Sequence, residues 1–404
     1  MSATQGSLSG LRVVEIGTSV AAPFGTQILG DMGAEVIKVE RLGTGDDTRS
    51  WNPPSWSGES IAFMSFNRNK KSLALDYKSD EGREVLTRLL ASADVLVQNL
   101  RPGALAKAGF SAEMLRKLNP RLIIADLSGF GHTGPRAAQP AYDPLLQAYS
   151  GIVSITGEDG GEPVRVPVSL LDMGTGMWMV ISVYEALRRR DASGVGSHVQ
   201  LSLLQTALTW MTSPMIGQAA GNPAPARLGS GFRGVVPYGA FPTSDGHVFI
   251  SAGNDSLWLR LLGAIGAEDL DEREGFKTNP ERNVRRPEVI AALSERTSAF
   301  TLDEIVPLLE KAGVPHSPVN TVDRVFKDPQ VKAIGMMQSL PHPVVADLQV
   351  MNLPMTFDGA YPELRTPPPA LGEGADEVLG SLGYDAEAID ALAESGVVKV
   401  DPRT

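Results

Sequence analysis

Short apolar runs recur through the first third of the chain, separated by longer amphipathic spans. LRVVEI at 11–16, AEVIKVE at 34–40, DVLVQN at 94–99 and RLIIADLS at 121–128 are rich in Val, Ile and Leu. Runs of this length and composition suit strands buried on both faces. The spans between them have helical spacing. Before one of them, EVLTRLLASA, Ser79 offers an N-cap oxygen, and Asp80 and Glu81 place negative charge at the positive end of a helix. Strand and helix in alternation predict βαβ units and so a parallel, doubly wound, Rossmann-like α/β sheet.

Further along, Met173, Met177, Val180, Ile181, Tyr184 and Leu187 share one helical periodicity, which predicts a long helix from about Asp172 to Arg190. HVQLSLLQTALTWM at 198–211 reads as a strand followed by a helix. Periodicity stops at 217–239, where Gly, Ala and Pro cluster as they do in linkers and functional loops. HVFISAG and helices near 258–265, 288–300 and 303–312 then predict a smaller α+β domain. The expected organisation is a large domain from 1–216 and 331–404, a connecting loop at 217–235 and a small domain at 236–330.

Composition narrows the function. A chain of 404 residues exceeds what one core usually organises, and its 42% hydrophobic content is that of an ordinary globular protein. A net charge of -11 argues against broad binding to nucleic acid or an anionic membrane, and confines any anion site to a local pocket. With no cysteine, disulfides, Cys-ligated metal and a thiol nucleophile are excluded. MSATQGSLSGLRVVEIG lacks the basic and apolar regions of a secretion signal, and no run of about 18 apolar residues follows. A cytoplasmic location is expected.

Familiar catalytic signatures fail one by one. Gly129 to Gly134 match GxGxxG, but Pro135 and Arg136 follow where a dinucleotide-binding helix would open, so a plain glycine-rich loop is expected. His132, His198, His247, His316 and His342 are scattered without metal-ligand spacing, and no metal is expected. GxSxG and GxxxxGK[ST] are absent. Asp172, in VPVSLLDMGTGMW, remains. There an apolar, strand-like run ends in a carboxylate, and Gly174 and Gly176 would let a substrate approach the backbone. Read locally, the aspartate is either a helix N-cap or a functional carboxylate.

Ordered segments from one end of the chain to the other resemble family III CoA transferases, the CaiB/BaiF type. They are LSGLRVVEIG, GDMGAEVIKVER with GTGDDTR, NRNKKSLALD, VQNLRPGALAKAG, GFGHTGPR, AYDPLLQAYSG, VPVSLLDMGTG, VPYGAF with SDGHV, and PPPALGEGADEVL. The resemblance implies that Asp172 is the catalytic aspartate, and that coenzyme A, a co-substrate with no further cofactor, meets Ser19, Val20, Ala21, Arg41, Leu75, Asn99, Leu100 and Lys107. The family's glycine-rich active-site loop corresponds to Gly229, Ser230, Gly231, Phe232, Arg233 and Gly234. Tyr142, Asp143, Arg68 and Asn69 are substrate-pocket candidates.

The family's late LGEHT reads here Leu371, Gly372, Glu373, Gly374, Ala375. An α-methylacyl-CoA racemase of the same fold would need a histidine where this chain has Tyr142, and a phenol with an ordinary pKa near 10 is a poor base at neutral pH. A non-catalytic CoA-binding protein is the other alternative. The resemblance further implies an interlocked homodimer, and partners that are an acyl-CoA, with succinyl-CoA as the candidate donor, and a small free carboxylic acid.

Overall fold

A computed structural model of the chain describes residues 6–400. In chain order, β1 (Arg12–Ile16) leads into α1 (Ala21–Asp31), β2 (Glu35–Glu40) and β3 (Lys70–Leu75). Then come α2 (Asp80–Ala91), β4 (Val95–Gln98), α3 (Ala112–Leu118), β5 (Ile123–Ser128), α4 (Asp143–Tyr149), α5 (Leu170–Ser193), β6 (His198–Ser202) and α6 (Leu203–Trp210). The middle of the chain supplies β7 (Tyr238–Pro242), β8 (His247–Ser251), α7 (Asp255–Ile265), α8 (Arg286–Thr297), α9 (Leu302–Lys311) and β9 (His316–Pro318). Near the end lie α10 (Ala375–Ser381), α11 (Ala386–Glu394) and β10 (Val398–Lys399).

The large sheet has the order β10-β3-β2-β1-β4-β5-β6. Six strands are parallel, and β10 is antiparallel to β3, with Val398 opposite Leu75. Strand order therefore reverses between β1 and β4, the point where open α/β sheets bind ligands outside their strand ends. Alternate residues of each strand serve opposite faces. Val14, Ile37, Leu73 and Leu96 pack under α2, α3, α10 and α11, whereas Val13, Val36, Val95 and Val97 pack against α1 and α5. The sheet is thus covered on both sides. Ser79 caps α2 as its sequence demands, its hydroxyl accepting the Gly82 N–H at 3.1 Å.

The chain divides into two compact units, 1–150 with 166–216 and 334–404, and 151–165 with 217–333. Segment 151–165, expected in the large domain, groups with the smaller unit. A backbone bond from Gly229 N to Gly157 O at 2.9 Å, and a side-chain bond from Arg227 Nη2 to Gly161 O at 2.7 Å, tie it there. In the smaller unit, the antiparallel sheet β9-β8-β7 packs with α7, α8 and α9 around Trp258, Phe241, Leu293 and Ile305. Among the described residues no helix is long and apolar enough to cross a membrane.

Candidate active site at the strand-order reversal

Asp172 lies in the first turn of α5, three residues after the N-cap Ser169. The segment before it, expected as a strand, is irregular. Ser169 makes no side-chain cap; instead Asp143 reaches across from the start of α4. One Asp143 oxygen accepts the backbone N–H groups of Leu171 at 2.6 Å and Asp172 at 3.1 Å, and the other accepts Gln147 Nε2 at 2.5 Å. Asp172 is therefore not the N-cap; a buried neighbour does that work and leaves the Asp172 side chain unused by the fold. Among the described residues, no donor bonds to its carboxylate. Burial, reinforced by the negative charge of Asp143, pushes its pKa up to about 7.

Two glycines fix where α5 runs. A Cβ at Gly176 would come within 2.8 Å of the Ala21 carbonyl oxygen, and one at Gly174 within 2.4 Å of the Trp210 ring. Their absent side chains serve helix packing against α1 and α6, not approach by a substrate, and their backbone groups belong to the helix. The contact with Ala21 is one helical turn from Asp172. It sets the first turn of α5, which carries Asp172, within one helical turn of the start of α1.

The loop between β1 and α1 carries several expected CoA contacts. Asn99, just past β4, accepts Thr18 N at 3.0 Å and donates to Thr18 O at 2.8 Å, which joins the loops after β1 and β4. Ser19 has a left-handed backbone with φ 69°, and Val20 and Ala21 are buried as α1 begins. Leu100 donates its N–H to Gln98 Oε1 at 2.8 Å. Ser19, Val20, Ala21, Asn99 and Leu100 are thus brought together where the strand order reverses. Arg41 follows β2 and pairs with Asp47 on the exposed rim, and Asp47 in turn accepts the Thr18 hydroxyl at 3.1 Å. Lys107 is exposed on a short helical turn after β4. Leu75 is buried in the core opposite Val398 and offers no accessible side chain.

Other candidates lie elsewhere. Arg68 is buried and paired with Asp31 at 2.7 Å, and Asn69 donates to the same carboxylate at 2.7 Å. Asp31 ends α1, about 15 Å along the helix from Ala21 at 1.5 Å per residue. The expectation that Arg68 and Asn69 line the acyl pocket is corrected accordingly: both hold the far end of α1. Tyr142 is 59% exposed at the start of α4. His132 and His198 both engage Asp126, and His342 accepts the N–H groups of Val344 and Val345. In the smaller unit, Gly229 and Gly234 adopt positive φ, Ser230 accepts Ala240 N at 2.7 Å, and Arg286 donates to the Phe232 carbonyl at 2.9 Å. Gly231 N donates to Leu228 O, and Arg233 is exposed.

A buried ionic cluster escaped the sequence reading. Glu15 on β1 binds Lys38 on β2 at 2.5 Å and Lys70 on β3 at 2.9 Å, and Lys38 also binds Asp46 at 2.7 Å, all with fully buried side chains. The available signal was a charge inside two of the apolar runs, Glu15 and Lys38, at the parity of Val13 and Val36 that faces α1.

A doubly wound sheet whose loops after β1 and β4 are joined at the strand-order reversal is the arrangement of α/β proteins that bind ligands at the switch point. Residues 8–375 match CoA-transferase family III, and the chain belongs to that family. It is 37% identical to an acyl-CoA transferase of Fusarium pseudograminearum, over 98% of this chain and 89% of the relative. It is also 35% identical to the human succinyl-CoA:glutarate CoA-transferase, over 97% and 90%. The crystal structure of a CaiB/BaiF family protein from Brucella suis superposes with a TM-score of 0.87 at 36% identity, covering 94% of this chain and all of that one.

Proposed function

We propose that this CoA transferase moves CoA from an acyl-CoA, with succinyl-CoA as the favoured donor, to a small dicarboxylic acid, and that Asp172 carries the CoA between them as an aspartyl thioester. The observation that supports it most is the desolvated Asp172 carboxylate, which no donor among the described residues engages, one helical turn from the start of α1. Similarity to the human succinyl-CoA:glutarate enzyme supports the substrate class.

In the proposed sequence the ionised Asp172 attacks the thioester carbonyl, the C–S bond breaks, and CoA leaves as the thiolate with an aspartyl anhydride behind it. The thiolate attacks the aspartyl carbonyl and expels the donor acid, giving an aspartyl-CoA thioester. The acceptor carboxylate then attacks that thioester and expels the CoA thiolate, giving a second aspartyl anhydride, and the thiolate attacks its acceptor acyl carbon and releases Asp172 as the carboxylate. Charge balances at each step, and neither ATP nor metal takes part. Both covalent species hydrolyse in water, so the site must close. The 229–234 loop is assigned that task by its family resemblance. Ser19, Val20, Ala21, Asn99 and Leu100 are assigned to CoA, with Arg41 and Lys107 for its phosphates. The protein is further proposed to be a cytoplasmic, interlocked homodimer.

Incubation with succinyl-CoA, acetyl-CoA and a panel of free acids, followed by mass spectrometry of new CoA esters, tests the reaction. Hydroxylamine quenching should place a hydroxamate on Asp172. A label on Asp143 or Glu15, or turnover of monocarboxylic acids alone, would overturn the reading.

A further inference from the structure

The loop between β1 and α1 is held in an unfavourable shape by groups far behind it. Ser19 has φ 69°, a conformation that non-glycine residues adopt rarely and keep only where the surroundings over-determine it. Lys38 Nζ donates to Gly17 O at 3.0 Å, and Asn99 takes both backbone groups of Thr18. One oxygen of Asp46 accepts the Thr18 hydroxyl at 3.1 Å and Ser19 N at 3.1 Å, as well as Thr48 N and Oγ1, both at 2.8 Å. Its other oxygen binds Lys38 at 2.7 Å. The inward-facing polar groups of Gly17, Thr18 and Ser19 are thereby fixed.

The outward side differs. The first turn of α1 has no side-chain cap and no acidic residue, and Pro23 contributes no N–H. Among the described residues, no side chain accepts from Ala21 or Ala22 N–H.

We infer that Lys38 and Asp46 are positioning residues for CoA: acting through Thr18 and Ser19, they hold the loop so that Ser19 and the first turn of α1 face the coenzyme. This rests on the CoA site proposed above. The buried pair suits the task because neither partner can relax into solvent. Lys38 draws the Asp46 carboxyl down to about 2, so the acceptor stays ionised throughout the working range.

The test is calorimetric titration of CoA into the full protein, with KM for an acyl-CoA and kcat measured alongside. Thr18→Val removes the hydroxyl that Asp46 shares with Asp47 and keeps the shape, and Thr18→Ser restores it. The Val variant should weaken CoA binding about tenfold or more and raise KM more than it lowers kcat, with Thr18→Ser within about twofold of wild type. Asp46→Asn should act in the same direction, with folding checked by circular dichroism. If it does not fold, the Thr18 pair carries the test. Wild-type binding with folded Thr18→Val, or equal damage from Val and Ser, overturns the positioning role while leaving the CoA site intact. A wild-type protein that binds no CoA overturns both.

Discussion

Asp143 accepts the backbone N–H of Asp172 at 3.1 Å, so the acid that caps α5 is also the charge that helps keep the second acid from ionising. One side chain therefore sets where α5 begins and, together with burial, delays the ionisation of its first-turn carboxylate.

This coupling gives the pH profile a definite sign. As the proposed nucleophile, Asp172 has to be ionised to attack, and its pKa is pushed up to about 7, so kcat/KM for an acyl-CoA should fall about tenfold per unit as pH drops below that value and level off above it. Asp143→Asn removes one negative charge and should move the limb to lower pH. The new amide faces Gln147 Nε2 as a donor where an acceptor stood, which costs about 1–3 kcal/mol of stability. Profiles of the two proteins, with denaturant midpoints, check both statements.

Asp172→Asn should lose transfer by several orders of magnitude and yet become more stable above neutral pH. A carboxyl whose folded pKa lies above its unfolded value is favourable when protonated. That contribution disappears as pH rises from about 4 to about 7. At pH 8 the ionised, part-buried group is expected to cost on the order of 2–4 kcal/mol, more than the roughly 0.3–1 kcal/mol a negative charge gains in a helix's first turn. Thermal midpoints at pH 4 and pH 8 should differ between variant and wild type only at the higher pH. A variant less stable at both would contradict the assignment.

Arg41→Ala should weaken CoA binding about tenfold or more, and Lys107→Ala should act in the same direction. Arg41 can leave Asp47 cheaply because that pair is exposed, with 60% and 42% of the two side chains accessible. Calorimetry at low and high salt would show the loss shrinking as salt screens the phosphates.

Gly176→Ala should destabilise the fold by about 1–3 kcal/mol, even though alanine is the better helix former by roughly 1 kcal/mol. The new methyl would meet backbone atoms, Ala21 O at 2.8 Å and Gly25 N at 3.2 Å, which cannot rotate away. Gly263 in α7 provides the contrast, since a Cβ there meets only Glu268 Oε1 at 4.0 Å and Gly263→Ala should stabilise. Chemical denaturation of both variants decides.

The local code of the chain determined much of this protein. The apolar runs became β1, β2, β4 and β5, Ser79 capped its helix, and the periodicity of Met177, Ile181 and Tyr184 became α5, because strand burial, capping and helical spacing depend on residues close in sequence. Motifs also carried the family. What periodicity could not reach was every choice made by contact between distant segments. Asp172 was freed from capping by an acid 29 residues earlier. Gly174 and Gly176 proved to be packing positions because α1 and α6 cross α5 there, and Arg68 and Asn69 were drawn to Asp31 at the far end of α1. Glu15 and Lys38 sit inside two of the apolar runs, and Lys70 opens β3. Strand order alone set Glu15 beside Lys38 and Lys70, where burial makes each charge depend on its partners.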